Sequence, residues 1–399
     1  MPIRSYFLLF QKGLPFLAAL LMFVGLIASK ALIAIASVAF VLAALPYAFK
    51  AKNWQGLQQQ PLFWSPALLF ILMASTALYS ENKVELMDRV RVMLPLLLLP
   101  ISMAILPPWP KKQWRWLLAS FVLIMSIAAA AVLINYGLNY TAIQASLKHS
   151  KGMPNPANDH VRFSLLICWA TILSGQLFVW RLGRWPWIWL LLGSFLFLAM
   201  HIFGARSGIL AFYFASFYLL LRWLWQTKRF LIGSLGLLAC LSLPFLAYKT
   251  IPSFREKILL TEKNIRLYQA GHIGNYSDTQ RMLSFQVALE VWAKSPILGV
   301  GLGDLKDEQK LIYQKDYPEQ RVMAPHSQYI SSLAAMGVLG LLLFLGLFSW
   351  PFFTEKTAIF QLFWLLIAVS FLSENTLFIT IGANLYAFFY CYLLLPKKP

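Results

Sequence analysis

The chain has 399 residues, of which 59% are hydrophobic and only 12% charged, whereas a soluble domain carries about 25% charged residues. Fifty-nine per cent of 399 is about 235 residues, enough for about twelve membrane-spanning helices of roughly 20 residues each. The composition therefore predicts an all-α polytopic membrane protein and excludes a separate cytosolic enzyme domain.

The charge is strongly basic, with 34 Lys and Arg against 15 Asp and Glu and a net charge of +19. In a soluble protein this excess would suggest nucleic-acid binding. Cytoplasmic loops of membrane proteins, however, collect Lys and Arg whatever the protein does. With both termini in the cytoplasm, the predicted inner segments carry 15 basic residues and one acid, a balance of +14. The charge thus indicates orientation, and we predict no nucleic-acid partner.

Apolar runs predict twelve spans, and the first pair is separated by little more than Ser29 and Lys30. The runs fall at about residues 13–29, 31–49, 62–79, 90–106, 114–134, 161–180, 185–203, 207–225, 229–248, 328–350, 357–373 and 378–395.

Two of the predicted outer segments are long, and the chemically varied residues collect on their side of the membrane. We interpret residues 1–399 as a single membrane domain, with a large loop at 249–327 between spans nine and ten and a smaller loop at 135–160. Within the large loop, 253–269 predicts a basic amphipathic helix and 278–293 a second helix. Fourteen of the fifteen acids and all five histidines fall on the outer side, so we expect the working face to be extracytoplasmic.

Two arginines lie at predicted helix starts on the outer face: Arg206 opens span eight, and Arg281 is in the first turn of the second loop helix. Because a helix N-terminus carries a partial positive charge, an arginine there is unfavourable by a few tenths of a kcal/mol. Binding of an anion would explain both positions, since guanidinium groups bind phosphate bidentately. The alternative is that both side chains extend to lipid headgroups.

His326 lies at the predicted start of span ten. A helix N-terminus disfavours imidazolium, so a neutral imidazole at this position would suit a general base that activates a hydroxyl. A capping or interfacial histidine is the alternative interpretation.

Several other functions are disfavoured by the sequence. The centres of the predicted spans contain no Asp, Glu, Lys, Arg or His, which argues against an ion-coupled transporter. The Gly-rich stretch at 299–304 follows Pro296 in an outer loop, so we interpret its glycines as turn or close-packing residues and not as a dinucleotide fingerprint. No DxD, HExxH or CxxC pattern occurs, and we predict neither a metal site nor a cofactor.

Three ordered motifs resemble the O-antigen ligase and polymerase superfamily. They are Ala205-Arg206-Ser207-Gly208, then Asp278-Thr279-Gln280-Arg281 running into 291–301, then His326-Ser327-Gln328-Tyr329 followed by 336–340. The match covers about residues 200–345, and the hydropathy profile extends it to the whole chain. The order of the motifs and the large loop before span ten carry the resemblance, because no single motif is specific enough.

The resemblance implies a glycosyltransferase with a GT-C-like architecture in the bacterial inner membrane, working on the periplasmic side. Its donor would be an undecaprenyl-pyrophosphate-linked glycan, and its acceptor a sugar hydroxyl of the lipid A-core oligosaccharide. Similar ligases are metal-independent and inverting. The length and the one dominant outer loop favour the ligase over the O-antigen polymerase or the protein O-oligosaccharyltransferase. A lipid-linked glycan transporter is the alternative from another class.

The resemblance also implies residue roles at the matching positions. Arg206 and Arg281 would bind the pyrophosphate, and His326 would be the catalytic residue or base. Asp278 matches the motif and is expected to be a helix cap or an arginine partner. Arg89, Arg91 and Arg162, on the outer face, are weaker candidates for further phosphate contacts, with no motif behind them.

Overall fold

The computed structural model describes residues 3–148, 152–157, 159–204, 206–272, 277–395 and 397–398. Its regular structure is almost entirely helical, and a single pair of two-residue parallel strands joins Trp109–Pro110 to Lys397–Lys398 within these residues. The α-helices are α1 (Ile3–Ala28), α2 (Lys30–Ala48), α3 (Ala51–Gln59), α4 (Trp64–Ala74), α5 (Lys83–Met93), α6 (Pro95–Ile105), α7 (Lys111–Leu138), α8 (Tyr140–Lys148), α9 (His160–Val179), α10 (Trp187–Phe203), α11 (Arg206–Thr227), α12 (Phe230–Thr250), α13 (Pro252–Gln269), α14 (Ser277–Lys294), α15 (Leu305–Asp316), α16 (Gln328–Thr354), α17 (Ala358–Ser373) and α18 (Thr380–Leu394).

The helices confirm an all-α polytopic membrane protein. Among the described residues, seven helical segments are long and apolar enough to cross a membrane: Lys30–Ala48, Pro61–Leu78, Lys111–Leu138, His160–Val179, Arg206–Thr227, Phe230–Thr250 and Gln328–Thr354. Four shorter apolar helices accompany them: Gly13–Ala28, Trp187–Phe203, Ala358–Ser373 and Thr380–Leu394. Large side chains such as Leu235, Leu241 and Phe245 of α12 are exposed, as expected for surfaces that face lipid.

One predicted span, at 90–106, is not a continuous helix. The charged helix α5 ends at Met93, and α6 begins at Pro95. Proline has no backbone N–H to donate, so it is favourable in the first turn of a new helix and unfavourable in the interior of an existing one. The apolar helix is therefore only 11 residues long.

Both loops that the sequence places on the outer side contain more helix than predicted. In the smaller loop, α7 extends to Leu138 and α8 follows at once, whereas residues 149–151 and 158 lie outside the described part. In the larger loop, α13 and α14 confirm the two predicted helices. The third helix, α15, was not predicted, because its sequence is strongly polar and lacks a continuous apolar face.

The chain divides into two compact units. The first comprises residues 1–117, 281–356 and 371–399, and the second comprises 118–280 and 357–370. In the first unit, Trp114 stacks on Tyr392 at 5.6 Å between ring centroids and donates a hydrogen bond to its carbonyl oxygen. In the second, α9 is the most enclosed helix, and its Trp169 packs against Phe363.

Helix α16 is interrupted at Gly337, whose φ of 66° and ψ of −172° are not helical. An interruption leaves backbone groups without their helical partners, which is unfavourable in a buried helix. The preceding segment 296–301 satisfies them through four hydrogen bonds: Val300 N to Ala334 O (3.1 Å), Gly301 N to Ala335 O (2.9 Å), Val338 N to Pro296 O (2.9 Å) and Leu339 N to Ile297 O (3.2 Å). The glycines of this segment are turn and close-packing residues, as the sequence indicates: both have positive φ, Gly299 packs against the backbone of Ala335, and Gly301 packs against Ser80.

We expect Gly337→Ala to destabilise the protein. A Cβ atom at this position would lie 2.1 Å from the carbonyl oxygen of Ile297, and the positive φ adds about 1–3 kcal/mol of backbone strain. The melting temperature of the purified protein in detergent should therefore fall. Gly346→Ala, on the same helix with nothing within 4 Å of its Cβ position, is the matched control and should be neutral or slightly stabilising. Equal melting temperatures for the two variants would contradict this role of Gly337.

Candidate functional site

Arg281, His326 and Glu374 form one group of polar side chains, which we name the Glu374 cluster. An Nη2 atom of Arg281 lies 2.9 Å from Oε1 of Glu374, and Nδ1 of His326 lies 3.7 Å from the same oxygen. The Glu374 residue is only 7% exposed. One buried carboxylate thus brings together two residues that are 45 positions apart in the chain (326 − 281).

The backbone around His326 is fixed by several hydrogen bonds. Ser327 is the N-cap of α16 and donates its hydroxyl to the carbonyl of Phe371 at 3.1 Å. Gln328 donates its backbone N–H to the carbonyl of Glu374 at 3.1 Å. Gln328 also accepts, on its side-chain oxygen, a hydrogen bond from Leu377 N at 2.9 Å. The residues after His326 in the motif therefore attach the start of α16 to the loop that carries Glu374.

Ser284 connects the same start of α16 to α14. The backbone N–H of His326 donates to Oγ of Ser284 at 3.4 Å, and that hydroxyl donates to the carbonyl of Arg281 at 2.7 Å. Because Ser284 lies one helical turn after Arg281, the turn that carries the guanidinium also holds the histidine backbone.

The His326 ring has one nitrogen directed toward Glu374 and is partly exposed. Its Nδ1 atom is the one directed toward Glu374, although 3.7 Å exceeds hydrogen-bond distance. A carboxylate on that side favours the tautomer with the proton on Nδ1, and Nε2 is then the proton acceptor. About a quarter of the side chain is exposed, so the ring is accessible.

A second group, the Arg206 cluster, consists of Arg206, Lys257, Thr261, Asn264 and Asp278. Arg206 binds Asp278 bidentately, with Nη2 to Oδ1 at 2.6 Å and Nη1 to Oδ2 at 3.1 Å, and also donates to the hydroxyl of Thr261. Asn264 donates to Oδ2 of Asp278 at 3.3 Å. Asp278 is therefore an arginine partner, one of the two roles expected for it.

The first turn of α11 is held close to α9, and this contact positions Arg206. Gly208 N donates to Oγ of Ser164 at 3.1 Å. A Cβ atom at Gly208 would lie only 2.5 Å from the carbonyl oxygen of Ser164, so a larger residue would push the two helices apart. This explains the glycine in the first motif.

Lys257 brings a second cation close to Arg206. Burial and then the neighbouring Arg206 lower the pKa of Lys257, Asp278 partly offsets both effects, and the net pKa is about 8 against an ordinary value of 10.5. Two cations thus share the single carboxylate of Asp278 within this cluster, which gives it an excess positive charge suited to an anionic ligand.

The three weaker candidates also have carboxylate partners. Arg89 pairs with Glu85 at 2.8 Å, Arg91 pairs with Asp88 at 3.1 Å on an exposed surface, and Arg162 pairs with the helix cap Asp159. These contacts do not join Arg91 or Arg162 to either cluster, and their predicted role in phosphate binding stays a prediction.

Four members of the clusters were not among the predicted site residues. Glu374 is the only acidic residue after Glu355, and it lies between two apolar runs, which is a usable signal for a functional carboxylate. Lys257, Thr261 and Asn264 recur at intervals of four and three residues in α13. This spacing places them on one polar face of the helix.

Comparison with known proteins supports the resemblance. Residues 191–345 match the family model described as O-Antigen ligase. The matched segment is 155 of the 399 residues long and supports similarity to the O-antigen ligase superfamily. The matched segment contains Arg206, Asp278, Arg281 and His326, whereas Glu374 lies beyond it. No curated protein matches the chain.

This match makes the chain similar, over 155 of its 399 residues, to a family of glycosyltransferase-like enzymes of the O-antigen pathway. Lipid-linked glycans and lipid A-core are the general substrates of the O-antigen ligase family. Both clusters suit such chemistry, since they offer guanidinium groups for phosphate and an accessible imidazole for proton transfer.

We expect the stability contributed by Lys257 to depend on pH. Below about pH 8 the ammonium is charged in both the folded and the unfolded chain, and burial next to Arg206 destabilises the folded form. Between about pH 8 and 10.5 the folded protein has released this proton and the unfolded chain has not, so stability rises with pH.

Wild-type protein should accordingly gain melting temperature relative to Lys257→Met across this range. Thermal unfolding in detergent at several pH values measures the difference. Lys263→Met, at an exposed position of the same helix, is the control and should follow the wild type. A difference between wild type and Lys257→Met that stays constant with pH would show that the lysine has its ordinary pKa.

Because Arg281 and Glu374 form a buried ion pair, we expect substitutions of the two residues to have strongly non-additive effects on the free energy of unfolding. Arg281→Met removes the ion pair and leaves the carboxylate buried, at a cost of about 3 kcal/mol. The double variant Arg281→Met, Glu374→Gln removes both charges and should recover most of that loss. Unfolding free energies of the two single variants and the double variant test this expectation, and purely additive losses would contradict it.

Proposed function

We propose that the protein is an O-antigen ligase that transfers a glycan from undecaprenyl pyrophosphate to a sugar hydroxyl of lipid A-core. The observation that carries the proposal is the Glu374 cluster, in which one buried carboxylate holds a motif arginine beside a motif histidine. A phosphate-binding group next to a proton acceptor is what transfer from a lipid pyrophosphate to a hydroxyl requires.

Arg206 and Arg281 would bind the pyrophosphate of the donor, with Lys257 as a further cation. A guanidinium has five N–H donors, so an arginine bound to one carboxylate keeps donors for a phosphate oxygen. The carboxylates of Asp278 and Glu374 would hold the guanidiniums in place before the donor arrives. The polyprenyl chain would stay in the bilayer while its pyrophosphate lies at the membrane surface.

His326 would act as general base through Nε2. It takes the proton of the acceptor hydroxyl, whose oxygen attacks the anomeric carbon of the donor from the face opposite the pyrophosphate. The new glycosidic bond forms as the bond from the anomeric carbon to the phosphate oxygen breaks, and undecaprenyl pyrophosphate leaves. This single displacement inverts the anomeric carbon. Each well-placed donor to the developing charge contributes about 3–4 kcal/mol.

The proposal includes an orientation in the bacterial inner membrane. Both termini would lie in the cytoplasm, and residues 249–327 would form a periplasmic subdomain of a single membrane domain, with a smaller periplasmic loop at 135–160. The excess of Lys and Arg in the inner segments supports this topology. The partners are then the lipid-linked donor, the lipid A-core acceptor and membrane lipids.

Substitutions in the Glu374 cluster test the function. His326→Ala should lower transfer by about 10²–10⁴-fold, the usual contribution of a general base. The double variant Arg281→Met, Glu374→Gln should also lose transfer while keeping its stability, so that loss of activity is separated from unfolding. Purified protein with lipid-linked donor and lipid A-core measures transfer directly. His272→Ala and Arg266→Ala, at exposed positions of the same loop, are controls that should keep activity.

A lipopolysaccharide gel of a strain lacking the protein separates the ligase from its relatives. Full-length chains that remain on the lipid carrier and are absent from the core support the ligase. Single repeats attached to the core would instead identify a polymerase. Movement of the donor across vesicle membranes without a new glycosidic bond would identify a transporter. Near-normal transfer by His326→Ala would show that His326 is not the general base.

A further inference from the structure

A cavity of about 130 Å³ lies directly beside the Glu374 cluster. Pro325, the residue before His326, and Asn375, the residue after Glu374, both line it. Ser331 lines it as well and donates its hydroxyl to Asn375 at 2.5 Å. The cavity therefore adjoins the two residues that stand next to the proposed base and its carboxylate.

The cavity has the size of one sugar ring. A single water needs about 10–15 Å³ by the same kind of measure, so 130 Å³ has room for about ten non-hydrogen atoms. One pyranose with its substituents is of this size.

Gln309 of α15 supplies an unused hydrogen-bond donor. It lines the cavity and is only 2% exposed, and its Nε2 atom has no hydrogen-bond partner among the described residues. A buried amide donor without a partner is unfavourable, so such groups in proteins call for an explanation. A ligand hydroxyl that accepts from Nε2 would provide one.

The rest of the lining favours a neutral sugar. Leu302 and Phe378 present apolar surface, which suits the C–H faces of a pyranose. The two cations of the lining, Arg89 and Lys306, both bind Glu85, at 2.8 Å and 2.9 Å. Burial raises the pKa of Glu85, but the bond from Lys306 and the charge of Arg89 outweigh it and hold the pKa below its ordinary value. The Glu85 carboxylate thus stays charged and remains paired with both Arg89 and Lys306.

We propose that this cavity binds the sugar ring of the acceptor that carries the reacting hydroxyl, and that Gln309 donates a hydrogen bond to another hydroxyl of that ring. The inference rests on the proposed function, because only a base at His326 requires an acceptor sugar next to it. Gln309 then determines acceptor specificity and takes no part in bond breaking.

Gln309→Met tests the proposal, since methionine keeps the length of the side chain and lacks the amide. We expect KM for lipid A-core to rise about tenfold, the effect of one lost hydrogen bond, and KM for the lipid-linked donor to change less than twofold. The melting temperature should not fall, because the variant removes an unpaired buried polar group. Gln286→Met, at an exposed amide of α14, is the matched control and should leave both constants unchanged.

A second variant, Ala324→Phe, places a large side chain at the lining of the cavity from an exposed position, and should raise KM for lipid A-core still further. Unchanged acceptor KM in both variants, with His326→Ala inactive, would overturn the cavity assignment and leave the proposed function standing. A rise in KM for the donor alone would also overturn it. Activity retained by His326→Ala would instead overturn the proposed function.

Discussion

The candidate active site depends on one interaction, the contact of a buried carboxylate with a guanidinium and an imidazole. Glu374 lies in a short loop between α17 and α18, and its backbone is hydrogen-bonded to the first residue of α16. A buried charge without a partner is strongly unfavourable, so Arg281 and Glu374 fix each other's position. His326 lies beside this pair because Ser284 and Ser327 hold its backbone there.

Each candidate arginine in the described structure has a carboxylate within ion-pair distance. Such pairing orients a guanidinium before a ligand binds, and this reduces the reorganisation needed during reaction. In the Arg206 cluster the balance stays positive, since Lys257 and Arg206 share one carboxylate. In the Glu374 cluster the single cation is matched, so binding of an anion there depends on the donors that Arg281 has left over.

The sequence predicts the helices well, because apolar runs of about 20 residues have few alternatives in a membrane protein. It also singles out Arg206, Arg281 and His326 as candidates, because an arginine at a helix start opposes the helix dipole and an imidazole there is kept neutral. Glu374 and Gln309 were missed because their roles arise from long-range packing. The break at Gly337 was missed for the same reason, as it depends on a segment 36 to 41 positions earlier (337 − 301 and 337 − 296) that supplies the missing hydrogen bonds.

The position of Glu374 late in the chain has a consequence for biogenesis. During translation the ribosome completes Arg281 and His326 well before the residue that holds them, because Glu374 comes 48 positions after His326 in the chain (374 − 326). A nascent or prematurely terminated polypeptide that ends after α16 would carry both motif residues without their anchor. Such a fragment would insert its helices without the ion pair, so under the proposed function it would stay inactive until synthesis passes Glu374.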